Sequence, residues 1–216
     1  MINISKYSQP GTLIKYKSTS KAKFDGPGFT ETKKEIRTNL LKEQGFLCAY
    51  CMVSLEDDPL KTKIEHWHSQ KKYSSEDLVY KNMLAVCLGN SNSETHCDTA
   101  KSKYDLIGKR DLHFNPSNPQ HDMNHLVRYL ANGEIKGDED FTEDIEVLNL
   151  NASRLKNDRA KIWEAVTQGL ATKDGDRNKI QLQKILDQWK DKSGGRLKAY
   201  CGVAIYYLNR RLERAN

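Results

Sequence analysis

The sequence lacks any long apolar segment of the kind that enters membranes. No run of about 18 apolar residues occurs in its 216 residues, and the first residues, MINISKYSQPGTLIKYKS, lack the apolar core of a signal peptide. We therefore expect neither membrane insertion nor secretion. Internal repeats and low-complexity tracts are also absent, and the length suffices for one substantial domain or two small ones that bury a core without disulfides.

Cysteine is scarce, and its placement is uneven. Of the five cysteines, four fall within residues 48–97, close to histidine and aspartate residues. An odd number in such a cluster suits reduced thiolates that bind metal better than a disulfide framework, so we expect a cytoplasmic protein. The fifth, Cys201, stands in the apolar stretch AYCGVAIYYL and is expected to be a small buried hydrophobic residue.

Positive charge is concentrated in the last third of the chain. Lys and Arg number 35 against 29 Asp and Glu, and residues 151–216 hold 15 of the former against 7 of the latter. Such asymmetry fits a polyanionic partner such as nucleic acid, or equally a solvated helical surface. The acidic segment 134–146 is unsuited to DNA and is expected to face a protein partner.

Apolar periodicity in the first half predicts a mixture of helix and short strands. Residues 1–30 are expected to be extended or irregular, and a helix is expected over 30–45, capped by Thr32 and stopped by Gly45. Two short strands are predicted at 62–67 and 83–88. A second helix is predicted over 95–108, capped by Thr95 and ending at Gly108.

The second half is predicted to be mainly helical. An Asn132-Gly133 pair between alternating segments indicates a β-hairpin over 126–137. Three amphipathic helices should follow at 151–170, 176–192 and 197–215, and their apolar stripes should pack on one another. The stripes comprise Leu155, Ile162, Val166 and Leu170 in the first helix and Ile180, Leu186 and Trp189 in the second.

The fold class expected is therefore α+β with helix predominant. The loop 108–122, which contains two prolines, is a candidate boundary between residues 1–112 and a hairpin and helical region of residues 113–216. The second region either forms its own unit or packs as one unit with the first.

Spacing among the clustered cysteines predicts a structural zinc site. Cys48 and Cys51 are two residues apart and fit one tight turn, while Cys87 and Cys97 could supply two further thiolates. The second spacing is longer than usual, and residues 89–93 resemble an inserted loop. His96 could replace one cysteine as a ligand, and buried thiols without metal are the other alternative.

Between and beyond the two cysteine pairs stand Glu65, His66, Asn82 and Asp98. With the segments CAYC, IEHW, KNMLAVC and HCDTAK, this order resembles the HNH nuclease family, whose strand-strand-helix metal motif often has supporting zinc-binding cysteine pairs. The resemblance spans about residues 48–101. It implies a ββα-metal motif to which the helical region is appended.

The resemblance implies a role for each of these residues. Glu65 matches a ligand of the catalytic divalent ion, His66 the general base that deprotonates water, and Asn82 the residue that holds this histidine in orientation. Asp98 falls where the family has a metal-binding His or Asn, which is a departure that leaves the preferred metal open. Taken alone, Asn82 is also a common turn residue and Asp98 a common helix cap.

The residue types suit phosphodiester hydrolysis independently of the family. A histidine fixed by an amide can take a proton from water near neutral pH, and Mg²⁺ or Mn²⁺ on hard carboxylate ligands can neutralise developing phosphate charge. Lys101, one turn after Asp98, is expected to contact a phosphate. His68 is expected to contact DNA or metal only if the extended backbone of His66 continues to it.

Nearly the whole chain resembles one subgroup, the PtuB nucleases of Septu-type anti-phage systems, which also occur beside retrons. The segments LLKEQGFLCAYC, NMLAVCLGN, LHFNP and IEVLNLNASRLKNDR prompt this comparison. It implies a DNA-cleaving defence effector that acts with an ABC or SMC-like ATPase partner of the PtuA type. Two alternatives are a non-catalytic, zinc-bearing nucleic-acid-binding or adaptor module, and a toxin that cleaves RNA through the same site.

Overall fold

A computed structural model describes residues 1–91, 94–106, 111–171 and 177–215. The α+β class is confirmed, with helices that outweigh three two-stranded antiparallel sheets among these residues. The helices are α1 (Gly11–Lys17), α2 (Thr30–Glu43), α3 (Cys97–Leu106), α4 (Met123–Leu126), α5 (Glu139–Val147), α6 (Ser153–Leu170), α7 (Lys179–Lys190) and α8 (Cys201–Arg214). The strands are β1 (Thr62–His66), β2 (Met83–Cys87), β3 (Asn90–Ser91), β4 (Glu94–Thr95), β5 (Arg128–Tyr129) and β6 (Ile135–Lys136).

Helix α2 packs against the two-stranded sheet of β1 and β2. Ile36, Leu40 and Leu41 line one face and are fully buried, as the helical spacing predicts. The chain leaves the helix at Gly45, which has a φ of 60°. A Cβ there would lie 2.7 Å from the Leu197 side chain, so both the conformation and the space favour glycine.

The sheet of β1 and β2 holds the central residues in a fixed register. Glu65 lies opposite Leu84 and His66 opposite Met83, while Thr62 faces Cys87. All five residues of β2 are buried, and the strand contacts both α2 and α3. The predicted strands are confirmed to within one residue at their ends.

Helix α8 packs on both α6 and α7 as predicted, although one residue of the predicted α7 stripe is wrong. Ile180 is 82 % exposed, whereas Leu182 and Leu186 are buried. Leu182 and Leu186 are one turn apart on the same face, and Ile180 lies about 200° around the helix from Leu182. The buried face of α7 therefore begins at Leu182.

Three further details differ from the sequence predictions. Residues 11–17 form a short helix in a segment expected to be irregular; it buries Leu13 and Tyr16 and packs on α2. Helix α2 starts at Thr30 without a side-chain cap, so Thr32 lies inside its first turn. Thr95 belongs to β4 and α3 starts only at Cys97. The predicted stop at Gly108 lies outside the described residues.

Buried side chains from both halves of the chain form one core cluster. The predicted hairpin is confirmed, with Gly133 N donating to Leu130 O at 2.9 Å in its turn. Arg159 of α6 is fully buried and donates to Gly133 O at 2.6 Å and Leu150 O at 2.8 Å, which fixes the hairpin on the helices. The division at residue 112 stays a prediction. None of the helices in the described part combines the length and the apolar character needed to cross a bilayer.

Asp144 of α5 fixes the loop that joins the two halves. It is 1 % exposed, and its two oxygens accept hydrogen bonds from the backbone N–H groups of His113 and Phe114, both at 2.9 Å. We expect Asp144→Ala to lower the free energy of unfolding by about 2–4 kcal/mol, because two backbone N–H groups lose a buried, charged acceptor. Glu146→Ala, an exposed position on the same helix, should change it by less than about 0.5 kcal/mol. Chemical denaturation would measure both, and equal effects would contradict the assigned role.

Candidate active site

Four cysteine side chains meet in the interior. Their Sγ atoms all lie within 4.8 Å of one another, with 3.9 Å between Cys48 and Cys97 and 3.8 Å between Cys51 and Cys87. Zinc–sulfur bonds of about 2.3 Å in a tetrahedron place sulfur atoms about 3.8 Å apart. The donor type and the spacing therefore fit a four-thiolate zinc ion.

Backbone turns bring these thiols together from three places in the chain. Cys48 and Cys51 lie in a tight turn after α2, where Met52 N donates to Cys48 O at 3.0 Å. Cys87 ends β2, and Cys97 starts α3. The long spacing between the last two closes because His96 N donates to Gly89 O at 2.8 Å, an approach so close that a Cβ on Gly89 would lie 1.9 Å from His96 O.

His96 lies beside the cluster. Its Nδ1 is 3.2 Å from Cys97 Sγ and 3.8 Å from Cys87 Sγ, but the compact donor set among the described residues consists of the four thiols. Cys201 is fully buried and does not belong to that set, as expected for a small hydrophobic residue.

The four-thiolate site predicts that zinc binding depends on a cysteine of the cluster and does not depend on Cys201. Cys51→Ser should abolish stoichiometric zinc binding and destabilise the protein, because the site needs all four thiolates to close. The matched control is Cys201→Ser, which changes an equally buried thiol outside the cluster and should retain one zinc per chain. Elemental analysis of purified protein would measure this, and full zinc content in Cys51→Ser would contradict a four-thiolate site.

Two carboxylates and two ammonium groups lie next to the zinc cluster. Glu65 of β1 and Asp98 of α3 lie close enough for each to shift the pKa of the other. Lys101 Nζ lies 2.6 Å from Glu65 Oε1, and Lys63 Nζ lies 2.6 Å from Asp98 Oδ2. Sequence positions far apart are thus joined in one charged cluster, with oxygen donors of the kind that Mg²⁺ and Mn²⁺ prefer.

Burial affects the two carboxyls differently. It raises the pKa of Glu65 to about 8; the Lys101 ammonium opposes this effect, and the neighbouring Asp98 carboxyl adds to it. Burial would also raise the pKa of Asp98, but the neighbouring Glu65 carboxyl and the Lys63 ammonium bring it below its ordinary value. The two shifts run in opposite directions, so a proton of the pair resides on Glu65 more readily than on Asp98.

Lys101 is oriented inward. It is 4 % exposed, and its Nζ also donates to the backbone O of His66 at 2.8 Å. The ammonium therefore contacts both Glu65 and the backbone of His66, and it holds α3 against the end of β1. The predicted contact with a phosphate stays a prediction.

His66 is held as a neutral base. Its Nε2 lies 2.9 Å from the backbone O of Asp77, which can only accept, so Nε2 bears the hydrogen and Nδ1 has the lone pair. Burial lowers the pKa of His66 below its ordinary value, against the opposing effect of Asp77. Among the described residues no group hydrogen-bonds to Nδ1.

Asn82 clamps the chain that follows β1. Its Oδ1 accepts from His68 N at 2.7 Å and its Nδ2 donates to His68 O at 3.0 Å. The backbone adds a bond from Trp67 N to Asn82 O at 2.9 Å. The amide thus acts on the backbone two residues beyond His66 rather than on the imidazole ring, and its role in catalysis stays a prediction.

The strand ends at His66, so the extended conformation on which a joint role of His68 depended does not continue. The His68 ring stacks on Tyr73 with centroids 4.5 Å apart, and its Nδ1 lies 2.8 Å from Glu76 Oε2. Contact of His68 with nucleic acid is untested.

Two residues of this site escaped the sequence analysis. Phe24 packs edge-on against the His66 ring, with centroids 4.6 Å apart, and Phe24 N donates to Asp77 Oδ2 at 2.9 Å. Asp77 positions His66 through a backbone carbonyl, which leaves no side-chain signal. Phe24 belongs to the N-terminal segment, where no motif pointed to the site.

The clamp predicts the effect of Asn82→Ala. Loss of two hydrogen bonds to backbone should lower the free energy of unfolding by about 1–3 kcal/mol and let the segment after His66 shift. Zinc content should be unchanged, since no cysteine contact is lost. Lys81→Ala, its exposed neighbour, is the matched control and should unfold like the wild type. Unchanged stability of Asn82→Ala would contradict the clamp.

Comparison with known proteins finds a relative whose name agrees with the family resemblance of the sequence. No family model matches the chain. It is 28 % identical over 196 aligned residues, or 72 % of this chain and 73 % of the relative, to an Escherichia coli protein named "Retron Ec83 putative HNH endonuclease". This similarity supports the HNH endonuclease family and a nuclease activity at that level; the Septu or PtuB subgroup does not follow from it.

Proposed function

We propose that this protein is a metal-dependent endonuclease that hydrolyses phosphodiester bonds in DNA. The observation that supports this most is the placement of a neutral histidine, with Nδ1 available as a base, on the strand that also supplies the buried carboxyl group of Glu65. Similarity to a relative named as an HNH endonuclease points to the same chemistry.

In the proposed reaction His66 Nδ1 accepts the proton of the attacking water while Asp77 O holds the ring through Nε2. Glu65 and Asp98 would hold a divalent ion, which supplies positive charge to the phosphate oxygens and the leaving oxygen. Asn82 fixes the backbone after the base, and Lys101 joins β1 to α3. The four thiolates would hold zinc and have no part in bond cleavage.

We further propose that the nuclease is an anti-phage effector. The relative's name places that protein with a retron, and the resemblance to PtuB nucleases implies an ABC or SMC-like ATPase partner. A surface suited to such a partner is the exposed acidic side of α5, which includes Glu139, Asp140 and Glu146. The basic residues of 151–216 suit nucleic acid.

The decisive variant is His66→Ala. Wild-type protein should cut plasmid DNA with Mg²⁺ or Mn²⁺ and stop with EDTA, and the variant should be slower by roughly 10²–10⁴-fold because the general base is lost. His125→Ala is the matched control, since that side chain is 87 % exposed and bonded to Asp122, and it should cut like the wild type. Equal zinc contents would show that the fold survives.

The same assay separates the alternatives. If the wild type cleaves RNA but not DNA, and His66→Ala loses this activity, the protein is an RNA-cleaving toxin and not a DNA endonuclease. Binding of nucleic acid without cleavage, both alone and with the ATPase partner and ATP, would support the adaptor alternative and overturn the nuclease. Cleavage that appears only with the partner would support the defence role.

A further inference from the structure

A polar cavity lies between the N-terminal segment, Lys81 and the loop before α4. Its volume is about 720 Å³, and pockets that bind small ligands typically enclose roughly 300–1,000 Å³. Residues 3–6, Lys81 and four residues of the segment 115–119 line it. Seven of these nine residues have polar side chains and none is acidic, so the cavity suits a polar or anionic ligand.

The amide of Asn115 can donate into this cavity. Asn115 is 9 % exposed, and its Oδ1 accepts from Ser117 N at 2.9 Å and from Ser117 Oγ at 2.8 Å. The bond from the backbone N–H identifies the oxygen, so the other terminal atom is the donor Nδ2. Among the described residues Nδ2 has no acceptor, yet it is not enclosed in the interior. A nearly buried side chain thus keeps one donor for a ligand.

Lys81 supplies the net positive charge of the cavity. The other ammonium in the lining, that of Lys6, lies 2.9 Å from Glu43 Oε2 and is compensated by it. Lys81 is exposed, and no acid of the described part of the chain forms an ion pair with it. Lysine ammonium groups and side-chain amides are among the donors that bind phosphate oxygens in nucleic-acid complexes. The cavity therefore fits a phosphate group better than a neutral ligand.

Hydrogen bonds join both walls of the cavity to the strands of the candidate active site. From one wall, Lys6 Nζ donates to Met83 O at 2.9 Å, and Met83 lies opposite His66 in the sheet. Trp67, which follows His66, donates from Nε1 to Phe114 O at 3.1 Å. Phe114 directly precedes the loop part of the lining. The cavity thus adjoins the candidate active site, and one nucleic-acid strand can contact both.

We propose that this cavity binds a phosphate, with its attached nucleotide, of the nucleic-acid strand that is cut at His66. Lys81 contacts the phosphate charge, and Asn115 Nδ2 donates to an oxygen of the same nucleotide. The inference rests on the proposed function and deepens it, because it names a site that holds the substrate strand. The cavity positions the strand and takes no part in bond cleavage.

The test is binding of a short single-stranded DNA to the full zinc-loaded chain in EDTA, measured over a range of salt concentrations. Lys81→Ala should weaken binding roughly 5-fold near 0.1 M salt and lower the slope of log Kd against log salt concentration by about 0.7, because one phosphate contact is lost. Lys81→Arg should restore both. Asn115→Asp keeps the acceptor for Ser117 but adds negative charge, so it should weaken binding at least as much as Lys81→Ala.

Lys61→Ala is the matched control for the loss of one positive charge. Lys61 is 56 % exposed, lies outside the cavity and pairs with Glu56 at 2.7 Å, so this variant should bind DNA with the wild-type slope. Equal slopes for Lys81→Ala and the wild type, or an equal loss in Lys61→Ala, would overturn the inference. No binding by the wild type would also overturn it.

Cleavage measured in parallel separates this inference from the proposed function. If the wild type binds DNA with the expected dependence on Lys81 but does not cut it with Mg²⁺ or Mn²⁺, the nuclease assignment fails and the binding site is supported. If it cuts DNA while Lys81→Ala and Asn115→Asp bind like the wild type, only the inference fails. The same losses with an RNA of the same sequence, and not with DNA, would support the phosphate site and assign an RNA strand to it.

Discussion

The closure of four thiols around one point is the constraint on which the rest of the structure depends. Two paired strands of five residues are marginal on their own. The cysteine cluster ties the turn after α2, the end of β2 and the start of α3 into one unit. Because Asp98 follows Cys97 and Glu65 lies on the strand paired with β2, this closure also sets where the two carboxylates meet.

The carboxylate pair is costly to bury, and its neighbours show how the cost is offset. Lys101 contacts Glu65 and Lys63 contacts Asp98, each at 2.6 Å, so each acid has an ammonium partner. Removing one partner of such a buried set usually destabilises a protein strongly, because a charge is left uncompensated. The cluster is thus bound to β1 and α3 together, which gives the site a rigid frame.

The sequence predicted what depends on spacing and missed what depends on packing. Two strands, the Asn132-Gly133 hairpin and the four-cysteine set follow from local patterns, and the structure brings them together. The inward orientation of Lys101 depends on a carboxylate 36 positions away, and the contact of Phe24 with His66 joins segments with no shared pattern. The exposed Ile180 shows the same limit, since apolar character alone does not choose the buried face of a helix.

The free-energy cost of burying polar groups also distinguishes a nuclease from a zinc-bearing adaptor. An adaptor needs the thiolate cluster and a basic surface, and it has no need of interior acids. Glu65, His66 and Lys101 are all less than 9 % exposed, and apolar residues of similar volume would fill their places without loss of solvation energy. A buried acid paired with a lysine and an oriented neutral histidine on the same strand have no use in an adaptor, so their presence favours catalysis.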